Sequence, residues 1–127
     1  MKRFVSCFDG TWQKLRQPKP TNIALISQSV AHTHTQPDGR QIPQIVIYSQ
    51  GVGTNIEALG KDGFMDGLTD GLNKMLGGVF GDGLEDSIVD TYLRLAFNYE
   101  AGDEIYIFGF SRGAFCARSF AGLINSA

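Results

Sequence analysis

No apolar run in the 127 residues approaches the roughly 18 needed to span a bilayer, and the start is interrupted at Asp9, too early for a secretion signal. A soluble protein made in the cytoplasm is the expectation. Charge of one sign is lacking as well. Eleven Lys and Arg against 13 Asp and Glu give a formal net charge of −2, which offers no electrostatic footprint for wrapping a polyanion and excludes nucleic acid as an expected partner. Cysteine is scarce: Cys7 and Cys116 fall in stretches that read as a buried strand and a buried helix. They are therefore small core residues, and neither a disulfide scaffold, a metal site nor a cofactor is expected. Internal repeats and low-complexity tails are also missing. The composition, 43% hydrophobic and 19% charged, is that of one globular domain or part of one.

Apolar residues occur in two patterns, short continuous runs and helically spaced stripes, the combination produced by strands buried on both faces with helices packed over them. The expected class is α/β, a three-layer fold with a parallel sheet. A first strand covers residues 4–8 and stops at the turn pair Asp9 and Gly10. Thr21 or Asn22 caps a helix with Ile23, Ile26 and Val30 on one stripe, fading near His32. Residues 33–43 are polar with a turn at Pro37, Asp38 and Gly39, and lead into a second strand at 45–48. Residues 51–83 hold 10 of the 16 glycines and read as an insertion, inside which Met65, Leu68, Leu72, Met75 and Leu76 keep helical spacing. A longer helix follows, with Leu84, Ile88, Tyr92, Leu95 and Tyr99 on one stripe and Gly102 suited to its end. The third strand is 104–108, and a last helix starts at Ser111 and runs through Phe115, Phe120 and Leu123.

Between the third strand and the last helix stands Gly109, Phe110, Ser111, Arg112, Gly113, a G-x-S-x-G. A nucleophile elbow consists of a strand, a sharp turn with serine at its tip and a helix leaving at once, and its glycines are needed where a Cβ would meet backbone. All three parts are here in order. Ser111 is the candidate nucleophile. The helix start aims N–H groups at the place where an oxyanion would form, so the N–H of Arg112 is the first candidate donor. In elbow enzymes the second donor comes from the loop after a neighbouring strand, which here holds Asp9, Gly10, Thr11 and Trp12. Gly10 and Thr11 are the candidate donors. Asp9 either belongs to that loop's chemistry or only holds it through side-chain to backbone bonds.

Phe8 to Trp12, Pro20 to Asn22, Tyr48 with Gly51, Val52, Gly53 and Thr54, Gly77 and Gly78 with Gly81 and Gly83, and Gly109 to Phe115 with Ala117 and Arg118 resemble one family in order. It is the α/β-hydrolase catalytic domain of type VI secretion phospholipase effectors, with its many uncharacterised relatives. The resemblance implies a serine esterase acting on a lipid or small ester, with Ser111 as nucleophile and Asp9, Trp12, Gly51, Gly53, Gly109 and Gly113 supporting the site. Together with right-handed crossovers it also implies that the first strand is central, flanked by 45–48 on one side and 104–108 on the other, all parallel. Gln13 departs from the pattern, which often has Asn after the Trp.

Elbow enzymes place the acid and then the histidine after the nucleophile, but Arg112 to Ala127 contain no Asp, Glu or His. His32 and His34 follow a helix that runs down from the elbow edge, so they are expected in a solvated loop at the opposite edge. The chain then reads as the N-terminal part of a longer hydrolase. The rival readings are a non-catalytic partner domain that keeps the scaffold, and a nucleotide-binding module suggested by Gly51 and Gly53 but lacking a third glycine at Ile56. Strand 104–108, apolar without alternation, is expected to leave an exposed edge through which copies self-associate.

Overall fold

The structure, a computed structural model, describes residues 1–10, 13–51 and 83–127. The helix expected over residues 65–76, and most of the glycine-rich segment, lie outside the described residues. Strand β1 (Arg3–Phe8) is followed by helix α1 (Asn22–Ser29), a hairpin of β2 (Thr33–Thr35) and β3 (Gln41–Ser49), helix α2 (Leu84–Ala96), strand β4 (Glu104–Gly109) and helix α3 (Arg112–Ser126). Sheet order is β2-β3-β1-β4. β1 is parallel to both neighbours, with Phe8 level with Ser49 on one side and Gly109 on the other. The N-terminal strand is thus central, as its continuous apolar character requires.

The fourth strand corrects the expected all-parallel arrangement: β2 pairs antiparallel with β3, so the sheet is mixed. Its pairing is backbone-driven. All three β2 residues are exposed, and the hairpin closes through Asp38, whose carboxylate accepts the Arg40 N–H at 3.0 Å, and Gly39 at φ 84°. A polar strand with no buried face carries no hydrophobic alternation, so this segment read as a lead-in loop. The stripe of α2 is also shorter than its spacing suggested. Ala96 is its last residue, Tyr99 is exposed beyond it, and Gly102 at φ 95° turns the chain into β4.

Alternation along β1 divides the core. Phe4 and Phe8 face α2 and α3, where they join Ile88, Leu95, Cys116 and Phe120, and the rings of Phe8 and Phe120 meet at 5.4 Å between centroids. Val5 and Cys7 face α1, against Ile23. Helices therefore cover both faces of the described sheet. Both cysteines are buried free thiols, as expected, and burial pushes each up to about 11, with the Asp9 charge adding to the effect at Cys7. β4 is an edge strand of the described sheet, and its Tyr106 is 44% exposed.

Ion pairs fasten the amino edge. Asp103 accepts the Lys2 N–H at 2.6 Å and the Glu100 N–H at 2.9 Å, and Lys2 Nζ lies 3.0 Å from its other oxygen. Burial acts to raise the Asp103 carboxyl, but the two backbone bonds and the Lys2 ammonium together hold it below its ordinary value. A carboxyl depressed on folding contributes stability above its unfolded pKa and loses it as pH falls through the folded one. Asp103→Asn is therefore expected to lower stability at pH 7 and to flatten the decline between pH 6 and pH 3, measured by urea unfolding. An acid limb as steep as that of the wild type would show that this carboxylate does not carry it.

Candidate active site

β4 ends at Gly109 and α3 begins at Arg112, leaving two residues for the reversal. Ser111 takes φ 56°, ψ −126°, and among the described residues no other non-glycine has a positive φ. These are the angles of the first central residue of a type II′ turn, and the turn is closed by the Gly113 N–H donating to the Phe110 carbonyl at 2.9 Å. An L residue held there stores on the order of 1–3 kcal/mol of strain. The result is a serine lifted out at the tip of the turn, exposed to solvent.

The first N–H groups of a helix lack intrahelical partners. In α3 the Gly113 N–H goes to Phe110 and the Ala114 N–H to the Ser111 carbonyl at 2.9 Å, so Arg112 carries the free first-turn N–H next to Ser111. The helix can start so abruptly because of two glycines. A Cβ on Gly113 would run into the carbonyl oxygens of Phe8 and Asp9, and one on Gly109 would stand 2.5 Å from the Gly113 carbonyl oxygen. Across the gap, a Cβ on Gly10 would lie 2.9 Å from the Phe110 ring and 3.3 Å from Ser111 Cβ. The loop after β1 thus reaches the serine at the carboxyl edge of the sheet.

Asp9, at the end of β1, is 3% exposed and fully engaged. One oxygen accepts the Gly10 N–H at 2.8 Å, and the other accepts the Thr21 hydroxyl at 2.7 Å and the Tyr48 hydroxyl at 2.5 Å. Thr21 in turn caps α1 by accepting the Ala24 N–H at 3.1 Å. Three donors and the positive end of α1 keep a buried charge tolerable. Burial, then the Asp9 hydrogen bond and charge, raise the Tyr48 phenol well above its ordinary value. The carboxylate therefore ties together the ends of β1 and β3 and the start of α1.

Of the residues singled out from sequence, Ser111, Arg112, Gly10, Asp9, Gly109 and Gly113 converge on one spot. Gly51 joins them indirectly, its N–H donating to the Gln13 carbonyl at 3.1 Å. Thr11, Trp12 and Gly53 lie outside the described residues. The Gly10 N–H, a candidate oxyanion donor, is occupied by Asp9. His32 and His34 are exposed and far off: the His32 carbonyl accepts from Gln44, level with Arg3, and His34 is level with Ile42. At about 3.3 Å per residue, that is about 15–25 Å of strand from the Ser111 edge. Thr21 and Tyr48 acquired no site role from sequence. The available signals were a cap residue and a hydroxyl at the end of an apolar strand.

Asp9→Ala would leave two hydroxyls and one N–H without their acceptor. The expected loss is about 3 kcal/mol or more. Tyr48→Phe removes one donor of three and is expected to cost about 1 kcal/mol. Urea unfolding of both variants checks the order, and equal losses would contradict Asp9 as the hub.

Residues 2–127 match the family described as type VI secretion, phospholipase effector Tle1-like, catalytic domain. The chain is also 36% identical over 128 residues to the uncharacterised protein YEL023C of Saccharomyces cerevisiae, covering 98% of this chain and 17% of that protein. It thus spans about a sixth of the length of that relative. No solved structure matches it. With the match running from Lys2 to Ala127 and taking in both the loop after β1 and the turn at Ser111, the chain belongs to the Tle1-like phospholipase effector catalytic domain family.

Proposed function

We propose that this domain has an α/β-hydrolase fold and is the nucleophile-bearing part of a serine ester hydrolase of phospholipase type. The observation that carries the reading is the backbone of Ser111, strained at φ 56° between β4 and α3. Strain of this kind is retained where a side chain must be presented. In the proposed reaction Ser111 Oγ attacks the ester carbonyl carbon and its proton passes to a general base. The carbonyl oxygen takes up the negative charge beside the Arg112 N–H, and collapse breaks the carbon–oxygen bond to the alcohol, which leaves with a proton. Water then attacks the acyl-serine and releases the acid. The Gly10 N–H is given to Asp9, so no second oxyanion donor is assigned among the described residues. Asp9 serves as the brace of the loop after β1.

The histidine base is sought outside residues 1–127, since the sequence has two histidines and both stand at the amino edge. The isolated chain is therefore a weak catalyst with a reactive-site geometry. A fluorophosphonate is expected to label Ser111 slowly, and Ser111→Ala to abolish the label, read by intact mass. Turnover of short-chain esters is expected near background, with a small residual rate from the oxyanion donor. Robust turnover lost in Ser111→Ala would place a base within the chain. No labelling at all would favour a binding domain that keeps the scaffold.

The β4 edge supports self-association on the same reading. Its backbone has no strand partner beyond β1 among the described residues, and Tyr106 and Phe108 are exposed on the α1 face beside it. Such an edge is a template for pairing. Light scattering at tens of micromolar is expected to show concentration-dependent dimers or larger species, and a stable monomer would remove this proposal.

A further inference from the structure

Charge is distributed unevenly about the candidate site. Residues 13–29 and 110–127, which form the loop after β1, α1, the turn at Ser111 and α3, contain Lys14, Arg16, Lys19, Arg112 and Arg118 and no carboxylate side chain. Among the described residues, Glu100, Asp103 and Glu104 belong to the amino edge, Asp38 to the hairpin turn, and Asp90 pairs with Arg94. Glu85 and Asp86 stand in the first turn of α2, on the same face as α3, where Leu84 and Ser87 line a pocket with Arg112 and Gly113, so two carboxylates share this edge with the cations.

The basic loop is built. The Gln13 N–H donates to the Gly10 carbonyl at 3.0 Å, the Lys14 N–H to Gln17 Oε1 at 3.0 Å, Gln17 Nε2 to the Lys19 carbonyl at 2.7 Å, and Gln28 Nε2 to the Leu15 carbonyl at 3.1 Å. These bonds consume backbone and glutamine groups and leave the three cationic side chains outward. Lys14, Arg16 and Lys19 are exposed, and none is in an ion pair among the described residues. One end of the loop begins at Gly10, against Ser111, and the other ends at Thr21, bonded to Asp9. Lys14, next to Gln13, and Lys19, two residues before Thr21, therefore flank the serine's edge, while the middle of the loop around Leu15 and Arg16 follows α1 down to Gln28. Beside the serine Phe110 is 52% exposed and Phe115 48%, with Arg112 between them in sequence.

We infer that this edge is a docking surface for an anionic lipid bilayer, with Lys14, Arg16 and Lys19 meeting headgroup phosphates and Phe110 and Phe115 entering the interfacial zone. Cations and exposed aromatic rings near one edge suit such an interface, where charge attracts and apolar surface inserts. A single soluble anion would engage the cations but not the rings. The inference rests on the hydrolase reading for what the surface delivers to Ser111, but its binding step is independent of the nucleophile.

The test is flotation of the full chain with vesicles of phosphatidylcholine and phosphatidylglycerol in a 3:1 ratio, against phosphatidylcholine alone. Flotation separates vesicle-bound protein from self-associated protein. Binding is expected to the anionic vesicles and to weaken as salt rises. A basic side chain near an anionic surface is worth about fivefold in affinity, so Lys14→Gln, Arg16→Gln and Lys19→Gln combined are expected to lower it on the order of a hundredfold. Thermal unfolding of the triple variant, unchanged from wild type, shows that the loss is not misfolding. Absent binding, equal binding to neutral vesicles, or a triple variant within twofold of wild type would each overturn the inference. So would displacement by inorganic phosphate at constant ionic strength, which would mark a single-anion site. Ser111→Ala is expected to float like wild type, so failure of fluorophosphonate labelling would remove the hydrolase reading without touching this one.

Discussion

The arrangement depends on one close approach, that of Gly113 to the Phe8 and Asp9 carbonyls at the end of β1. With no Cβ in the way, α3 can sit directly on the carboxyl end of the central strand and begin two residues after β4 has ended. That brevity is met by a tight turn, closed by the Gly113 N–H on the Phe110 carbonyl, in which Ser111 takes φ 56°. The strain is offset further along α3, where Cys116 and Phe120 enter the same cluster as Phe4 and Phe8. A helix seated further out would relax Ser111 and at the same time lift Phe120 off Phe8.

The Asp9 carboxylate works on the same point from the other side. A lone buried charge costs far more than a surface one, and here hydroxyls from two other elements and its neighbour's amide answer it. Each donor comes from a segment that would otherwise be free to drift: the loop after β1, the cap of α1, the end of β3. The network fixes Gly10 where its bare α-carbon can lie under the Phe110 ring. Backbone therefore approaches the serine from two directions, each held by something buried.

Much of this was legible in the sequence for a physical reason. β1 and β4 are buried or edge strands of continuous apolar residues, and the strand, G-x-S-x-G and helix order leaves little conformational choice at residues 109–113. The order of the three parallel strands followed from crossover handedness taken with the family resemblance. β2 was not legible because it buries nothing, and its pairing uses backbone groups that every residue has. The roles of Thr21 and Tyr48 were hidden for another reason: a cap and a strand-end hydroxyl are ordinary locally, and become partners only when the sheet brings residues 9, 21 and 48 together. The same bond that braces the loop takes the Gly10 N–H away from the oxyanion position, which loop assignment alone had no means of showing.

The two edges of the sheet do different work, and the charges follow that division. At the amino edge Lys2 and Arg3 pair with Glu100, Asp103 and Glu104, so opposite charges are spent on one another and clamp β1 to β4. At the carboxyl edge the cations of residues 13–20 have no such partners among the described residues, while the nearby carboxylate, Asp9, is buried and saturated with neutral donors. The basic side chains of that loop are thus unpaired near a strained serine, and the carboxylates that share the edge, Glu85 and Asp86, belong to the start of α2. A clamp at one end allows this, since the strands meeting at Ser111 are already held in register at Arg3 and Glu104 and the site edge need not contribute attraction of its own to keep them together.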